Sequence, residues 1–153
     1  NVGLNLMALR RLLPELSISA VEINEQAAAQ CAEIPGVHVY QKTLFDFTSE
    51  EMFDLTFVSG VLIHINPDRL TEVYDLLYRH SRKYTLISEY YNPVPVEGDY
   101  RGFSGKLFKR DFAGEFLDRF PDVRLLHYGF QYHRDKNFPM DDVNWFLLEK
   151  IGR

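Results

Sequence analysis

The sequence has 153 residues, 46% of them hydrophobic and 25% charged, which is the composition of one globular domain with a substantial core. Its net charge of −5 argues against a nucleic-acid backbone or an anionic membrane as partner. No apolar run approaches the roughly 20 residues that span a bilayer, and the lone Cys31 excludes an internal disulfide and a cysteine zinc site, which indicates a cytoplasmic protein.

A helix with apolar residues at i, i+3 and i+7 spans positions 6–13 and ends before Pro14. The short apolar strand 18–21 follows and ends at Glu22. Gly3 lies 19 positions before that acid (22 − 3), the spacing of a nucleotide-binding unit in which a glycine turn precedes a helix and an acid grips the ribose. A helix–strand pair with an incidental glycine and acid explains these residues about equally well. Because no strand precedes the turn, we expect an N-terminal part to be missing.

The rest of the chain alternates helices and strands until its last two elements. We predict strands at 37–41, 53–58, 84–90, 123–132 and 143–149, and helices that begin near Asn24, Asn66 and Lys109. Positions 92–106 hold two prolines and three glycines, which predicts a long mobile loop. The last two strands have no helix between them and must be antiparallel. The order predicts one doubly wound α/β domain over 1–153, mainly parallel, with one antiparallel strand at its C-terminal end.

Several short motifs, spread over nearly the whole chain, carry a family resemblance. They are the segments 3–6, 21–24, 60–67, 88–93, 105–112 and 145–149. With them the chain resembles the class I S-adenosylmethionine-dependent methyltransferases, and more narrowly it is similar to the pseudaminic acid biosynthesis-associated methylase family. An acid and a first glycine that open the turn in this class are absent here, which fits a missing N-terminal part.

The resemblance implies S-adenosyl-L-methionine as the cofactor and methyl transfer to a small polar acceptor, such as a sugar or nonulosonic-acid derivative. Within it, the loop at Gly3 holds the methionine end, Glu22 holds the ribose, and the loop after the strand 53–58 lies under the sulfonium. The cofactor-binding residues implied in this way are Asn1, Gly3, Asn5, Glu22, Ile23, Leu44, Phe45, Ser59, Gly60 and Val61.

The acceptor is expected at the carboxyl ends of the strands, where ligands bind in open α/β sheets. The catalytic candidates there are His64, Tyr90 and Tyr91, and the substrate-binding candidates are Asn92, Tyr100, Arg101, Lys106, His133 and Arg134. The cations suit a carboxylate or phosphate, which predicts an anionic acceptor. Each candidate also has a structural alternative: a cap or core position for His64, a turn for 90–92, and a solvated loop for the cations. No spacing of histidines with acids suggests a metal.

Two other functions stay open at this point. A nicotinamide-dependent reductase would use a similar fold, but the closing strand pair and the lack of a Tyr-x-x-x-Lys dyad argue against it. A non-catalytic protein could keep the cofactor pocket as a scaffold. Such a protein would have no need of the polar run 90–92 together with Arg101 and Lys106.

Overall fold

The computed structural model describes residues 3–100 and 102–152, with the backbone alone at positions 100, 103, 104 and 106. Its elements are α1 (Leu4–Leu12), β1 (Ile18–Val21), α2 (Glu25–Ala32), β2 (Val37–Tyr40), β3 (Phe53–Ser59), two 3-10 helices (Leu62–His64 and Pro67–Arg69), α3 (Leu70–His80), β4 (Ser81–Glu89), β5 (Val96–Tyr100), β6 (Phe103–Lys109), α4 (Phe112–Arg119), β7 (Val123–Gln131) and β8 (Val143–Lys150). The chain divides into two compact units between Ser49 and Glu50. No helix in the described ranges has the length and apolar character needed to cross a membrane.

The first unit contains α1, α2 and the parallel pair β1–β2. Its core is built on Leu6, Ile18 and Cys31, and Cys31 is one of the buried residues of α2. The predicted cap of α2 is confirmed, because the Asn24 side chain accepts a hydrogen bond from the Ala27 backbone N–H at 2.9 Å. Sequence and structure therefore agree on the helix and strand that bring Glu22 to the end of β1.

The second unit is built on a four-stranded sheet in the order β3-β4-β8-β7. Strands β3 and β4 are parallel, whereas β8 runs antiparallel to both of its neighbours, β4 and β7. The prediction of one reversed strand at the C-terminal end is confirmed. Its physical cause is the connection from β7 to β8, which contains no helix and can only reverse the chain.

Residues 92–106 differ from the predicted long loop. They include β5 and much of β6, which pair as an antiparallel hairpin with Gly98 opposite Leu107. Gly102 and Gly105 have φ values of +84° and +66°, so the glycines that suggest a loop instead supply the turn and a bend within β6. The loop prediction is wrong for this reason. The helix predicted from Lys109 begins at Phe112, where α4 starts after its Asp111 cap.

The helices α3 and α4 pack against strands of the four-stranded sheet in the second unit. Leu70, Val73 and Leu77 form a buried stripe on α3, which packs against β3 and β4. Helix α4 buries Phe112 and Phe116 and packs against β4 and β7. Both helices therefore pack against β4, the strand that leads to Tyr90 and Tyr91.

A cross-strand contact between Gly129 and Trp145 gives a first testable prediction. The two residues are partners in the β7–β8 ladder, and a Cβ on Gly129 would lie 2.6 Å from ring carbons of Trp145. We expect Gly129→Ala to lower the free energy of unfolding by about 1–3 kcal/mol because the indole must move. The measurement is urea unfolding followed by the emission of Trp145, the only tryptophan in the chain.

Gly98→Ala is the matched control, since it also places a methyl group in a strand. Its Cβ would meet Leu107 at 3.5 Å, an ordinary van der Waals distance. Wild-type stability and wild-type emission in Gly129→Ala would contradict the close packing of this pair.

Candidate functional site

Glu22 is the first residue after β1, at the carboxyl edge of the parallel pair. Its backbone N–H donates to the Tyr40 carbonyl at 3.1 Å, and its Oε1 accepts from the Asn24 N–H at 2.8 Å. Partial burial acts to raise the pKa of Glu22, while hydrogen bonds from the Asn24 and Ile23 backbone act to lower it, and the resulting pKa lies below the ordinary value. The side chain is therefore an ionised carboxylate with a fixed orientation at neutral pH.

The turn before α1 requires a glycine on two counts. Gly3 has a φ of +78° and is the N-cap of α1. A Cβ at this position would lie 3.0 Å from both Cys31 Sγ and Ile34 Cδ1, closer than normal packing allows. Asn5 is exposed in the first turn of α1, and the predicted cofactor residue Asn1 lies outside the described part of the chain.

Two apolar side chains are exposed at the carboxyl ends of β1 and β2. Ile23 leaves 66% of its surface exposed, and Phe45 lies with Leu44 in a turn after β2. That turn is held by Thr43, whose Oγ1 donates to Asp46 Oδ2 at 2.6 Å and accepts from the Asp46 N–H at 3.0 Å. Because β1 and β2 are parallel, both sites face the same edge of the first unit as Glu22.

In the second unit, the predicted residues Ser59, Gly60 and Val61 form the turn that leaves β3. Gly60 has a φ of +63° and donates its N–H to the Ser88 carbonyl of β4 at 3.0 Å. A Cβ on Gly60 would meet no atom of the described residues within 4 Å, so among these residues the turn faces open space. The turn is therefore held to the end of β4 and is open on its outer side.

Glu89, which the sequence patterns do not single out, anchors this turn. Its Oε1 accepts from the N–H groups of Val61 and Leu62 at 2.8 and 2.9 Å. Burial raises the pKa of Glu89 to about 7, against the lowering effect of these backbone bonds. Its Oε2 is buried and has no hydrogen-bond partner among the described residues. The available signal in the sequence is an acid at the end of a predicted strand, within the segment 88–93 that carries the family resemblance.

A cleft of about 630 Å³ opens where β4 ends and β8 begins. The side chains that line it are those of Tyr90, Tyr91, Lys109, Phe130, His133, Asp141, Asp142 and Asn144. The structure thus brings together three predicted residues, Tyr90, Tyr91 and His133. The return from β7 to β8 adds the two aspartates, which the sequence alone does not connect to the site. Within the described ranges, no three histidine, cysteine or acidic side chains are grouped to hold a metal ion.

The polar groups of the cleft form two pairs. The Tyr90 hydroxyl donates to Asp141 Oδ2, and the Lys109 ammonium lies 5.2 Å from the centre of the Tyr90 ring. His133 Nδ1 lies 2.9 Å from Asp142, and the His133 backbone N–H donates to the same carboxylate. The hydrogen bond from the His133 backbone N–H has the largest effect on the pKa of Asp142, and the hydrogen bond with the His133 ring has the next largest. Both hold this pKa below its ordinary value. Both aspartates therefore have partners within the cleft.

Three other predicted acceptor residues, Asn92, His64 and Arg134, are not among the residues that line this cleft. The Asn92 side chain donates to the Val94 carbonyl at 2.6 Å, which is the structural turn named above as its alternative. His64 is exposed on the first 3-10 helix, and Arg134 is exposed next to His133. Arg101 and the side chains of Tyr100 and Lys106 lie outside what the structure describes.

No family model matches the sequence, and no curated protein matches it. Solved structures do match its fold. The N-methyltransferase NodS from Bradyrhizobium japonicum WM9, in complex with S-adenosyl-L-homocysteine, superposes with a TM-score of 0.70 at 10% identity, covering 92% of this chain and 70% of that one. A S-adenosylmethionine-dependent methyltransferase from Clostridium acetobutylicum ATCC 824 gives 0.64 at 11% identity, covering 94% and 79%.

A third match is the 1,6-didemethyltoxoflavin-N1-methyltransferase from Burkholderia thailandensis. It has a TM-score of 0.63 at 11% identity and covers 94% of this chain and 75% of that one. At such low identity the likeness concerns the fold. The chain has the α/β Rossmann-like fold of S-adenosylmethionine-dependent methyltransferases.

Proposed function

We propose that the protein transfers a methyl group from S-adenosyl-L-methionine to a small polar acceptor. One observation carries the proposal. The open turn at Gly60, which the sequence resemblance assigns to the sulfonium, is hydrogen-bonded to Ser88 and Glu89 at the end of β4. The next two residues of the chain, Tyr90 and Tyr91, line the cleft. Residues 88–91 thus connect the turn at Gly60, proposed for the methyl donor, to the cleft proposed for the acceptor, and all of them lie within one compact unit.

The family resemblance assigns the other parts of the cofactor to residues of the first unit. Glu22 presents an ionised carboxylate, the group that can accept hydrogen bonds from both ribose hydroxyls. Ile23, with 66% of its surface exposed, and Phe45 offer apolar surfaces for the adenine. When bound, the cofactor supplies a methyl group on a sulfonium that leaves readily. The residues of the chain have the task of holding donor and acceptor in line and of excluding water.

The cleft supports a small-molecule acceptor. Its volume of about 630 Å³ lies within the usual range of ligand pockets. The rings of Tyr91 and Phe130 can pack on an acceptor, and Lys109 supplies one ammonium group. The matched Burkholderia enzyme was crystallised with a small molecule, 1,6-didemethyltoxoflavin. For this chain, the family resemblance and the ammonium group favour a carboxylated sugar, such as a nonulosonic acid.

A mass-spectrometric screen tests this function. Full-length protein is incubated with S-adenosylmethionine and, separately, with N-acetylneuraminate, glucuronate, glucosamine and glucose. We expect S-adenosylhomocysteine and a singly methylated product with the carboxylated sugars. Cofactor binding without any methylated product would favour the non-catalytic alternative, and binding of NADH in place of S-adenosylmethionine would favour the reductase.

We expect Glu22→Ala to weaken the binding of S-adenosylmethionine by about 1–3 kcal/mol, because two ribose hydroxyls lose their acceptor. This corresponds to an increase in Kd of about 5- to 150-fold. The measurement is isothermal titration calorimetry. Glu25→Ala is the matched control, since Glu25 is an exposed acid in the first turn of α2. An unchanged Kd in Glu22→Ala would remove Glu22 from the cofactor site.

A further inference from the structure

The pair of His133 and Asp142 joins the two ends of the connection between β7 and β8. His133 Nδ1 lies 2.9 Å from both carboxylate oxygens of Asp142. Because the pKa of Asp142 lies below its ordinary value, the group is a carboxylate at neutral pH and can only accept hydrogen bonds. The ring hydrogen therefore sits on Nδ1. In the neutral ring, Nε2 then keeps its basic lone pair.

The ring of His133 is accessible from the cleft. Its side chain lines the cavity and leaves 55% of its surface exposed. The other lining groups are less suited to take a proton. Asp142 and Asp141 accept hydrogen bonds from His133 and Tyr90, and the Tyr90 hydroxyl acts as a donor. Lys109 is an ammonium group. Of the described side chains that line the cleft, His133 is the one with a basic lone pair and an oriented ring.

We propose that His133 is the general base of the methyl transfer, that Asp142 positions its ring, and that the acceptor atom is a hydroxyl oxygen. The acceptor oxygen bonds to the methyl carbon, the sulfur–carbon bond breaks, and its electron pair stays on sulfur. The hydroxyl proton passes to Nε2 of His133. An imidazole suits this task because it titrates near neutral pH, whereas a sugar hydroxyl does not ionise there unaided.

The assignment of a hydroxyl acceptor rests on the proposed function, but the state of the ring can be tested apart from it. Long-range ¹H–¹⁵N correlation spectra of the whole protein at pH 8 distinguish the two neutral tautomers of each histidine. We expect His133 to be protonated on Nδ1 in the wild type, and this preference to be lost in Asp142→Asn. A wild-type His133 protonated on Nε2 would overturn the proposal, because that nitrogen could not accept a proton.

The kinetic test uses N-acetylneuraminate and glucuronate as hydroxyl acceptors. We expect His133→Gln to lower kcat by about 10²- to 10⁴-fold, the usual contribution of a general base, with an unchanged Kd for S-adenosylmethionine. This variant keeps the backbone N–H that donates to Asp142, so the loop retains one of its bonds. Asp142→Asn should give a smaller loss and should displace the acidic limb of the pH profile of kcat/KM, which a merely structural role would leave in place.

His127→Gln is the control, since His127 is an exposed histidine on β7 that does not line the cleft. A wild-type rate in His133→Gln would overturn the assignment of the base and leave the proposed function intact. A wild type that methylates the amine of glucosamine and no hydroxyl of any of the four sugars would overturn the hydroxyl assignment. Failure of the wild type to bind S-adenosylmethionine would instead overturn the proposed function, and the tautomer spectra would still report on the His133–Asp142 pair.

Discussion

Wild-type protein should lose about 3 kcal/mol of unfolding free energy between pH 4.5 and pH 8 through Glu89, and Glu89→Gln should not show this loss. The folded-state pKa of Glu89 is about 7, against an ordinary value of 4.5. This difference in pKa, at about 1.4 kcal/mol for each power of ten, amounts to about 3.5 kcal/mol over the full titration, and about 3 kcal/mol of it falls in this pH window because the unfolded carboxyl is already half ionised at pH 4.5. Between these pH values the folded state binds one more proton than the unfolded state, so stability falls as the pH rises.

The measurement is urea unfolding of both proteins at a series of pH values, compared as differences from their values at pH 4.5. Glu72→Gln is the control, because Glu72 is an exposed acid whose pKa is lowered by its partner Arg69. It should keep the wild-type decline. Parallel curves for the wild type and Glu89→Gln would show that Glu89 is not buried as described.

The ionised Glu89 carboxylate lowers the stability of the fold, and the same group holds the turn at Gly60, which is proposed to lie under the sulfonium of the cofactor. Ionisation of Glu89 strengthens the hydrogen bonds from the Val61 and Leu62 N–H groups, because an anion is the stronger acceptor. A well-packed apolar residue would avoid the cost of burying a charge but would leave those N–H groups without a partner. A buried acid with a raised pKa beside a functional edge is a common feature of active sites.

The elements of this fold are predictable from the sequence where local chemistry decides them. Asn24 and Asn66 cap helices in the structure as their positions predict, and the reversed strand β8 follows from the missing helix before it. The β5–β6 hairpin is not predictable in this way. Its pairing depends on contacts between Gly98 and Leu107, whereas its glycines and prolines are locally typical of a loop.

The residues of the candidate site also fall into two groups: those whose positions follow from the local sequence, and those whose contacts depend on strand pairing. The positions of Glu22, Gly60 and Tyr90 follow from strand ends, which a sequence shows. The pairing of His133 with Asp142 needs the β7–β8 register, and the contact of Glu89 with Val61 needs the neighbouring ends of β3 and β4. Such pairings are non-local, so Asp142 and Glu89 look like ordinary acids until the strands are assembled.

The second large effect is expected at Phe116, the middle residue of an aromatic stripe that Phe112, Phe116 and Phe120 form at a spacing of four along α4 and its C-terminal cap. Its side chain has 0% of its surface exposed, and its ring packs edge-on against Tyr74 with centroids 5.8 Å apart. We expect Phe116→Ala to lower the free energy of unfolding by about 3–5 kcal/mol, since it removes buried surface and leaves a cavity. Urea unfolding followed by circular dichroism measures the change.

Phe120→Ala provides the comparison within the same stripe. Phe120 is the cap residue after α4, is only half-buried, and stacks on Tyr78 with centroids 4.0 Å apart. Its replacement should cost clearly less than that of Phe116. Equal losses in the two variants would mean that α4 is anchored by its end rather than by its middle.

Because Lys109 of the cleft precedes the Asp111 cap by two residues, a loosened α4 should also disturb the cleft. Phe116→Ala should therefore weaken acceptor use as well as stability, whereas Phe120→Ala should affect stability alone.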